Sequence, residues 1–514
     1  MNRRAFLQST TAGFFAAPAV MSRVLQESAA PAMPGGVQVG DVTSTRAMIW
    51  SAADRPARMM VELSRDERFT SPRLIEGPVA LENSQFTAKL DLGGLTAGEP
   101  VFYRVWFDDL ARPGLQSAPV TGQFRAAPTA ARPLTFCWSG DVVGQGWGLN
   151  AAFGGLRLYE TMARHHPDLF IHSGDMIYAD GPLAAEVTLD DGSTWKNLVT
   201  PAKSKVAETL AEFRGNFAYN LLDPHARAFN SQVPMVVQWD DHEVINNWSP
   251  GTDLSIRPGY TERGIGLLAA RAKRAMFEYL PIRSHPEEAE RVYRAYRYGP
   301  VAEVFVLDQR SYRAANGANR EETPSRATRM MGPAQVAWLK QNLAASNATW
   351  KIIASDMPLG LLISDGQKDG VPAWEGWANG PGAPLGREHE LADVLSFIKR
   401  ERVHNVVWVT ADVHYAAAHF YDPKVAVFKD FTPFWEFVGG PLHAGTFGPS
   451  VADPTFGCTQ VFNSVPANLK PNRPPSDGLQ FFGTLTIDSR TRRMTAAIWN
   501  LKNERLWSQE LDTE

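Results

Sequence analysis

Five apolar runs in this chain each deliver an acid or an imidazole at the point where they stop. Leu134 to Ser139 runs into Gly140-Asp141, and Leu169 to Ser173 into Gly174-Asp175, with Tyr178 close behind. Met235 to Trp239 is followed by Asp240-Asp241-His242-Glu243 and then by Asn246-Asn247. Trp350 to Ala354 leads to Ser355-Asp356-Met357-Pro358, and Val406 to Thr410 leads to Ala411-Asp412-Val413-His414. A single aspartate after a strand commonly caps a helix or shapes a turn. Five such endings, two of them adding a histidine, read instead as one cleft, because ligands of α/β folds bind at the carboxyl ends of strands.

Carboxylates do not gather without a partner. Two like charges ~4 Å apart repel by about 4 kcal/mol at an effective dielectric of 20, and bound cations reverse that sign. The donors are rich in oxygen, with two imidazoles and a phenol, which suits Ca2+, Mn2+ and iron and admits Zn2+. More than one ion is expected. Two ions ~3.5 to 4 Å apart, bridged by one carboxylate, convert water to a nucleophile near neutral pH, which suits hydrolysis of phosphate esters.

The rest of the chain must hold these residues in place. Its 514 residues are 44% apolar and 21% charged with a net charge of −4, which excludes disorder and a small disulfide scaffold. With 51 basic against 55 acidic residues there is no excess positive charge for duplex nucleic acid as the main partner. The two cysteines, Cys137 and Cys458, allow neither a disulfide framework nor a multi-thiolate zinc site. Short strand-like stretches at Val37 to Val42, Ala47 to Trp50, Met59 to Leu63, Phe86 to Leu92 and Val101 to Phe107 predict a β-sandwich. The turn Leu95 to Pro100 before Val101-Phe102-Tyr103 resembles the tyrosine corner of a fibronectin type III-like unit. After the small-residue linker Ala126 to Pro133 the texture becomes α/β. Strands there are the five runs above and Val301 to Asp308, with helices over Gly155 to Arg164, Thr209 to Asn220, Leu267 to Leu280 and Pro333 to Ala344. Two packed sheets with outer helices are expected, closed by a hairpin from Phe481 to Trp499 around Asp488-Ser489-Arg490-Thr491. At the start, Arg3-Arg4 before a short apolar stretch predicts a twin-arginine export signal over residues 1–32. That implies the twin-arginine export machinery as a partner, a periplasmic or secreted location, and no integral membrane segment in the mature chain.

Ser139-Gly140-Asp141, Gly174-Asp175-Met176-Ile177-Tyr178, Trp239-Asp240-Asp241-His242-Glu243-Val244, Leu307 to Arg313, Ala411-Asp412-Val413-His414-Tyr415 and Glu436 to Pro441 together resemble the alkaline phosphatase D (PhoD-like) family of metallophosphoesterases. The resemblance spans the mature chain. It implies a four-layer α/β/β/α metallophosphoesterase core over residues 133–514, after the sandwich at 33–126, and a secreted phosphomonoesterase or phosphodiesterase using Ca2+ and Fe3+. Residue by residue it implies Asp175 as the bridging ligand, with Asp141, Tyr178, Asp241, Asp356, Asp412 and His414 completing the metal shells. His242 then contacts phosphate or protonates the leaving oxygen. Many members carry Ser-Cys-Gln where this chain has Ser139-Gly140-Asp141, so Cys137 is read as a buried free thiol and an aspartate as the ligand.

Substrate contacts are expected from Trp147, Asn150 and Arg157, which follow Asp141 in a glycine-rich stretch, and from Tyr415 beside His414. Asp308, Arg310 and Arg313 read as supports for neighbouring loops. Trp374-Glu375-Gly376-Trp377 reads as a wall of the cleft or as packing. The substrate is a small phosphate ester; the alternatives are a phospholipase D-like phosphodiesterase acting on lipid or polymer phosphodiesters, and a non-catalytic envelope-binding protein.

Overall fold

Near-continuous apolar strands such as Leu169-Phe170-Ile171 and Met235-Val236-Val237 belong in parallel sheets covered on both faces, and the computed structural model, which describes residues 30–514, places them so. The export signal falls in residues 1–29, outside the described residues, apart from its last three positions. Two large sheets form. The first has nine strands in the order Arg505–Leu511, Met494–Asn500, Phe481–Ile487, Leu134–Ser139, Leu169–Ser173, Met235–Gln238, Val37–Gly40, Arg46–Ala52, Thr87–Gly93. The second has seven: Arg294–Tyr298, Ala302–Val306, Trp350–Ala354, Val406–Thr410, Phe434–Val438, Ala417–Tyr421, Cys458–Asn463.

Successive side chains on a strand face opposite ways, and the core divides accordingly. Phe136, Trp138, Ile171 and Val236 meet Val304, Ile352, Val407 and Phe437 between the two sheets. On the outer face of the first sheet, Cys137, Phe170 and Met235 pack with Leu158, Phe213, Leu268 and Met276 of helices. On that of the second, Phe305, Ile353 and Trp408 pack with Leu339, Leu391 and Leu395.

The expected helices form as Arg157–Ala163, Leu210–Asn220, Ile265–Tyr279 and Gly332–Ala345. Thr209 and Glu212 close a reciprocal capping box at the second of these, which fixes its start. Two helices, Pro224–Asn230 and Glu388–Arg400, and eleven of the 24 strands among the described residues go beyond the sequence-based expectation, among them Arg73–Ala80, Val120–Arg125, Arg505–Leu511 and four strands of the second sheet, Arg294–Tyr298, Ala417–Tyr421, Phe434–Val438 and Cys458–Asn463. The late hairpin is present, its turn held by Asp488 accepting from the Arg490 amide at 2.9 Å.

The N-terminal strands do not stand apart. Ala57–Ser64, Arg73–Ala80, Pro100–Asp109 and Val120–Arg125 form their own sheet and share a core with Val37–Gly40, Arg46–Ala52 and Thr87–Gly93. Those last three strands extend the nine-stranded sheet, since Gly40 pairs in parallel with Met235. Tyr103 departs from the expected corner: its hydroxyl donates to the Ser231 carbonyl at 2.6 Å, outside its own sheet. Gly122 makes this possible, as a Cβ there would lie 2.3 Å from the Tyr103 ring.

Candidate metal centre

The carboxyl ends of both sheets' parallel strands open into one buried cluster. Asp141, Asp175, Asp412 and His414 follow their strands with φ of 64°, 50°, 72° and 60°. Non-glycine residues rarely adopt such angles, and the strain concentrates at functional sites. Glycines admit the crowding: a Cβ on Gly174 would sit 2.4 Å from Asp240 Cβ, and one on Gly440 would sit 2.5 Å from an Asp141 carboxylate oxygen.

Three donor groups overlap. Ligand atoms of Asp141, Asp175 and His414 lie within 4.8 Å of one another, as do those of Asp175, Asp241 and His242, and those of Asp240, Asp241 and Asp412. Asp175 joins the first two groups and Asp241 the last two. Burial first, and then Asp240, hold Asp141 well above the ordinary carboxylate range. Burial, Asp241 and Asp240 do the same to Asp175, while burial, Asp240 and Glu375 do so to Asp412. Asp241 goes the other way: against burial, the charges of His242 and Arg310 and the Asn247 amide pull it down. Neither oxygen of Asp141 accepts a hydrogen bond of normal geometry. Leaving a buried acceptor open costs about 1–3 kcal/mol, and a hard cation removes both that cost and the mutual repulsion. The donor set fits such ions.

His414 is held as a ligand must be. Its Nδ1 lies 2.6 Å from the Gly445 carbonyl, so the proton sits there and Nε2 turns a lone pair to the Tyr178 hydroxyl at 2.8 Å. Burial draws its pKa down to about 4, keeping the ring neutral. Burial and the neighbouring Asp175 and Asp141 push the Tyr178 phenol well above its usual value.

His242 is set in a different environment. Its Nδ1 lies 2.7 Å from Asp180 Oδ1, and its ring packs against Tyr178 at a 32° tilt with centroids 4.2 Å apart. Burial disfavours the charged ring, but Asp180 and Asp241 outweigh it and carry the pKa up to about 10. The Asn246 amide holds the other Asp180 oxygen at 2.8 Å. An imidazole oriented by a carboxylate can act as a general acid while it is protonated.

The sequence of residues 136–498 matches the profile of the PhoD-like phosphatase family, and residues 18–128 match that of the PhoD-like phosphatase N-terminal domain. The chain belongs to the PhoD-like phosphatase family. It is 28% identical over 438 residues to alkaline phosphatase D of Bacillus subtilis (strain 168), spanning 80% of this chain and 70% of that one. A solved structure of PhoD superposes with a TM-score of 0.67 at 22% identity, covering 94% of this chain and 93% of the other. The purple acid phosphatase PPD1 of yellow lupin (Lupinus luteus) seeds shares the fold with a TM-score of 0.57 at 13% identity, over 94% and 74%. This PhoD-like chain is accordingly a metal-dependent phosphoesterase, and the reading as a non-catalytic binding protein is set aside.

Not every residue expected at the site of this PhoD-like chain reaches a donor group. Asp356 is buried at its strand end, but its Oδ2 lies 3.4 Å from Arg310 Nε, and the three groups do not include it. Trp147 is buried and donates from Nε1 to Asn472 at 2.8 Å. Asn150 accepts from the Ala152 and Phe153 amides at 2.9 and 3.2 Å, a turn-forming role. Arg157 is exposed, its guanidinium 5.3 Å from the centre of the Phe153 ring. Tyr415 is fully buried with Leu361 and Phe481, its hydroxyl accepting from the Ser450 amide at 3.0 Å. Cys137 faces the outer helices among apolar neighbours, and burial raises its thiol pKa.

Sequence reasoning missed Asp180 and the setting of Arg310. Asp180 lies five positions after Asp175 on the same loop, the one signal that was available. Arg310 is fully buried, donates to Asp240 at 2.8 Å through Nε, and also contacts Glu375.

Proposed function

We propose that this phosphoesterase hydrolyses phosphate monoesters, diesters or both at the cluster, and that the deciding feature is Asp175, the carboxylate shared by two donor groups. Asp141, Tyr178 and His414 serve one side of Asp175; Asp241 serves the other and links it to Asp240 and Asp412. Bound there, two or more cations, Ca2+ and Fe3+ with Mn2+ or Zn2+ as substitutes, supply the charge that holds phosphate oxygens and lowers the pKa of water. The Tyr178 side supports the trivalent ion, because a phenol held well above its usual pKa needs a strong Lewis acid to become a ligand. His242 donates its proton to the leaving oxygen, and Asp180 keeps the ring oriented for that transfer. Asp356 balances Arg310.

The wider architecture is read as a fibronectin type III-like sandwich over residues 33–126 and a four-layer α/β/β/α core over 133–514. The three apolar clusters, one between the sheets and one on each outer face, support the four layers. Export by the twin-arginine route to the periplasm or exterior rests on Arg3-Arg4 and the apolar stretch after it. No helix among the described residues is long and apolar enough to cross a membrane.

The decisive assay compares a monoester and a diester of one chromophore, with and without chelator, on natively produced chain whose metal content is measured. Turnover that chelator stops and added metal restores is expected. Turnover of only the diester, extended to lipid or polymer phosphodiesters, would favour the phospholipase D-like alternative. Undiminished turnover in a chain shown to be metal-free would sink the proposal.

A further inference from the structure

Three guanidinium groups lie buried directly behind the donor cluster, and they converge on one wall residue. Arg310, Arg313 and Arg387 are 0%, 3% and 1% exposed. Arg310 contacts the Glu375 carboxylate, while Arg313 and Arg387 both donate to the Glu375 backbone carbonyl. Arg387 also reaches Asn316 Oδ1 at 2.7 Å, and Arg313 reaches the same atom at 3.0 Å. Glu375 is thus locked on both its side chain and its main chain.

Of the three, only Arg310 faces the cluster. Nε and Nη2 both donate to Asp240 Oδ1, Nε lies 3.4 Å from Asp356, and Nη2 lies 4.0 Å from Asp412. Asp240 Oδ2 keeps no hydrogen-bond partner. One carboxylate oxygen is therefore pinned by a planar fork and the other is left open, beside Asp241 and Asp412. A guanidinium fixes such an orientation, where an ammonium supplies only a point charge.

We propose that Arg310, clamped by Glu375, is a positioning residue that acts through Asp240, holding the Asp240, Asp241 and Asp412 group in shape before any cation arrives. The inference rests on the metal-centre reading and adds a residue that touches neither substrate nor ion. Electrostatics alone predicts the opposite sign: deleting a nearby positive charge should strengthen cation binding. Positioning predicts weakening, because partners that orient ligands are worth ten- to a hundredfold in metal affinity.

The test is calorimetric titration of chelator-stripped full chain with Mn2+, in wild type, Arg310→Gln, Arg310→Lys and Glu375→Gln. The expected result is about ten- to a hundredfold weaker Mn2+ binding in Arg310→Gln. Arg310→Lys should recover less than half of that loss on a logarithmic scale, since charge without the fork does not orient Asp240. Glu375→Gln should weaken binding by a smaller factor, and adding it to Arg310→Gln should cost nothing more. Unchanged or tighter binding in Arg310→Gln overturns the proposal, as does full rescue by lysine. Should Arg310→Gln fail to fold, Glu375→Gln decides: wild-type affinity in that folded variant overturns it equally. A wild-type chain that takes up no Mn2+ overturns the metal-centre reading instead, and this inference with it.

Discussion

The cleft treats its buried acids in two opposite ways. At the end of the first sheet, Asp141 and Asp175 sit with other carboxylates and no arginine, and Asp141 has no hydrogen-bond donor of normal geometry. Asp356 of the second sheet and Asp240 of the first instead meet Arg310, whose guanidinium also serves Glu375. One half of the cleft carries its counter-charge in its own sequence; the other half must import it. A buried acid with a built-in arginine contributes structure at any metal concentration, whereas one without an arginine stores a repulsion that only a ligand relieves.

The sharpest way to break this contrast is Asp175→Asn, which removes the shared ligand on the importing side. Turnover should fall by about 10³-fold or more, the scale of several kcal/mol of lost charge stabilisation, while circular dichroism stays that of the folded chain. Retained activity with wild-type metal content would contradict the assignment. Next in size is His242→Gln, expected to lower kcat by roughly 10²- to 10⁴-fold. The deficit should shrink with leaving groups that need no proton, and Asp180→Asn should show a milder form of the same pattern.

A third expectation concerns stability in the stripped protein. Glu243 titrates near 8, raised chiefly by burial, and His242 near 10, raised by Asp180 and Asp241 against burial. Both folded values exceed the unfolded ones, so between pH 6.5 and 8 the folded chain holds more protons than the unfolded chain. Stability therefore falls as pH rises through that window, by ~1.4 kcal/mol per pH unit for each extra proton held. Thermal melts with and without metal check this, and a metal-free melting temperature that climbs over the window would refute it. The smallest effect is expected at Cys137→Ala, which faces the outer helices. Metal content and kcat should be unchanged, with a stability loss of about 1 kcal/mol.

What could be read from the chain beforehand follows the same division. The donors contributed by both sheets stand immediately after apolar runs, a local pattern, so Asp141, Asp175, Asp241, Asp412 and His414 were all legible. Arg310 and Glu375 are 65 positions apart and meet only through tertiary packing, which no local spacing reveals. The substrate contacts fared differently again. Trp147, Asn150 and Tyr415 were chosen for being next to ligands in sequence, but loop conformation decides direction, and their polar atoms turn to Asn472, to nearby amides and to Ser450. Tyr103 shows the same limit: its turn was visible, its partner Ser231 was not.

The strand Leu134–Ser139, which ends at Asp141, lies between Leu169–Ser173 and Phe481–Ile487. The latter is drawn from the far end of the chain. The neighbourhood of the first ligand is therefore completed by a strand that follows every other donor in the chain. Contacts of such sequence separation form slowly in folding, so the Asp141 side of the cluster depends on a distant strand that contributes no donor to it.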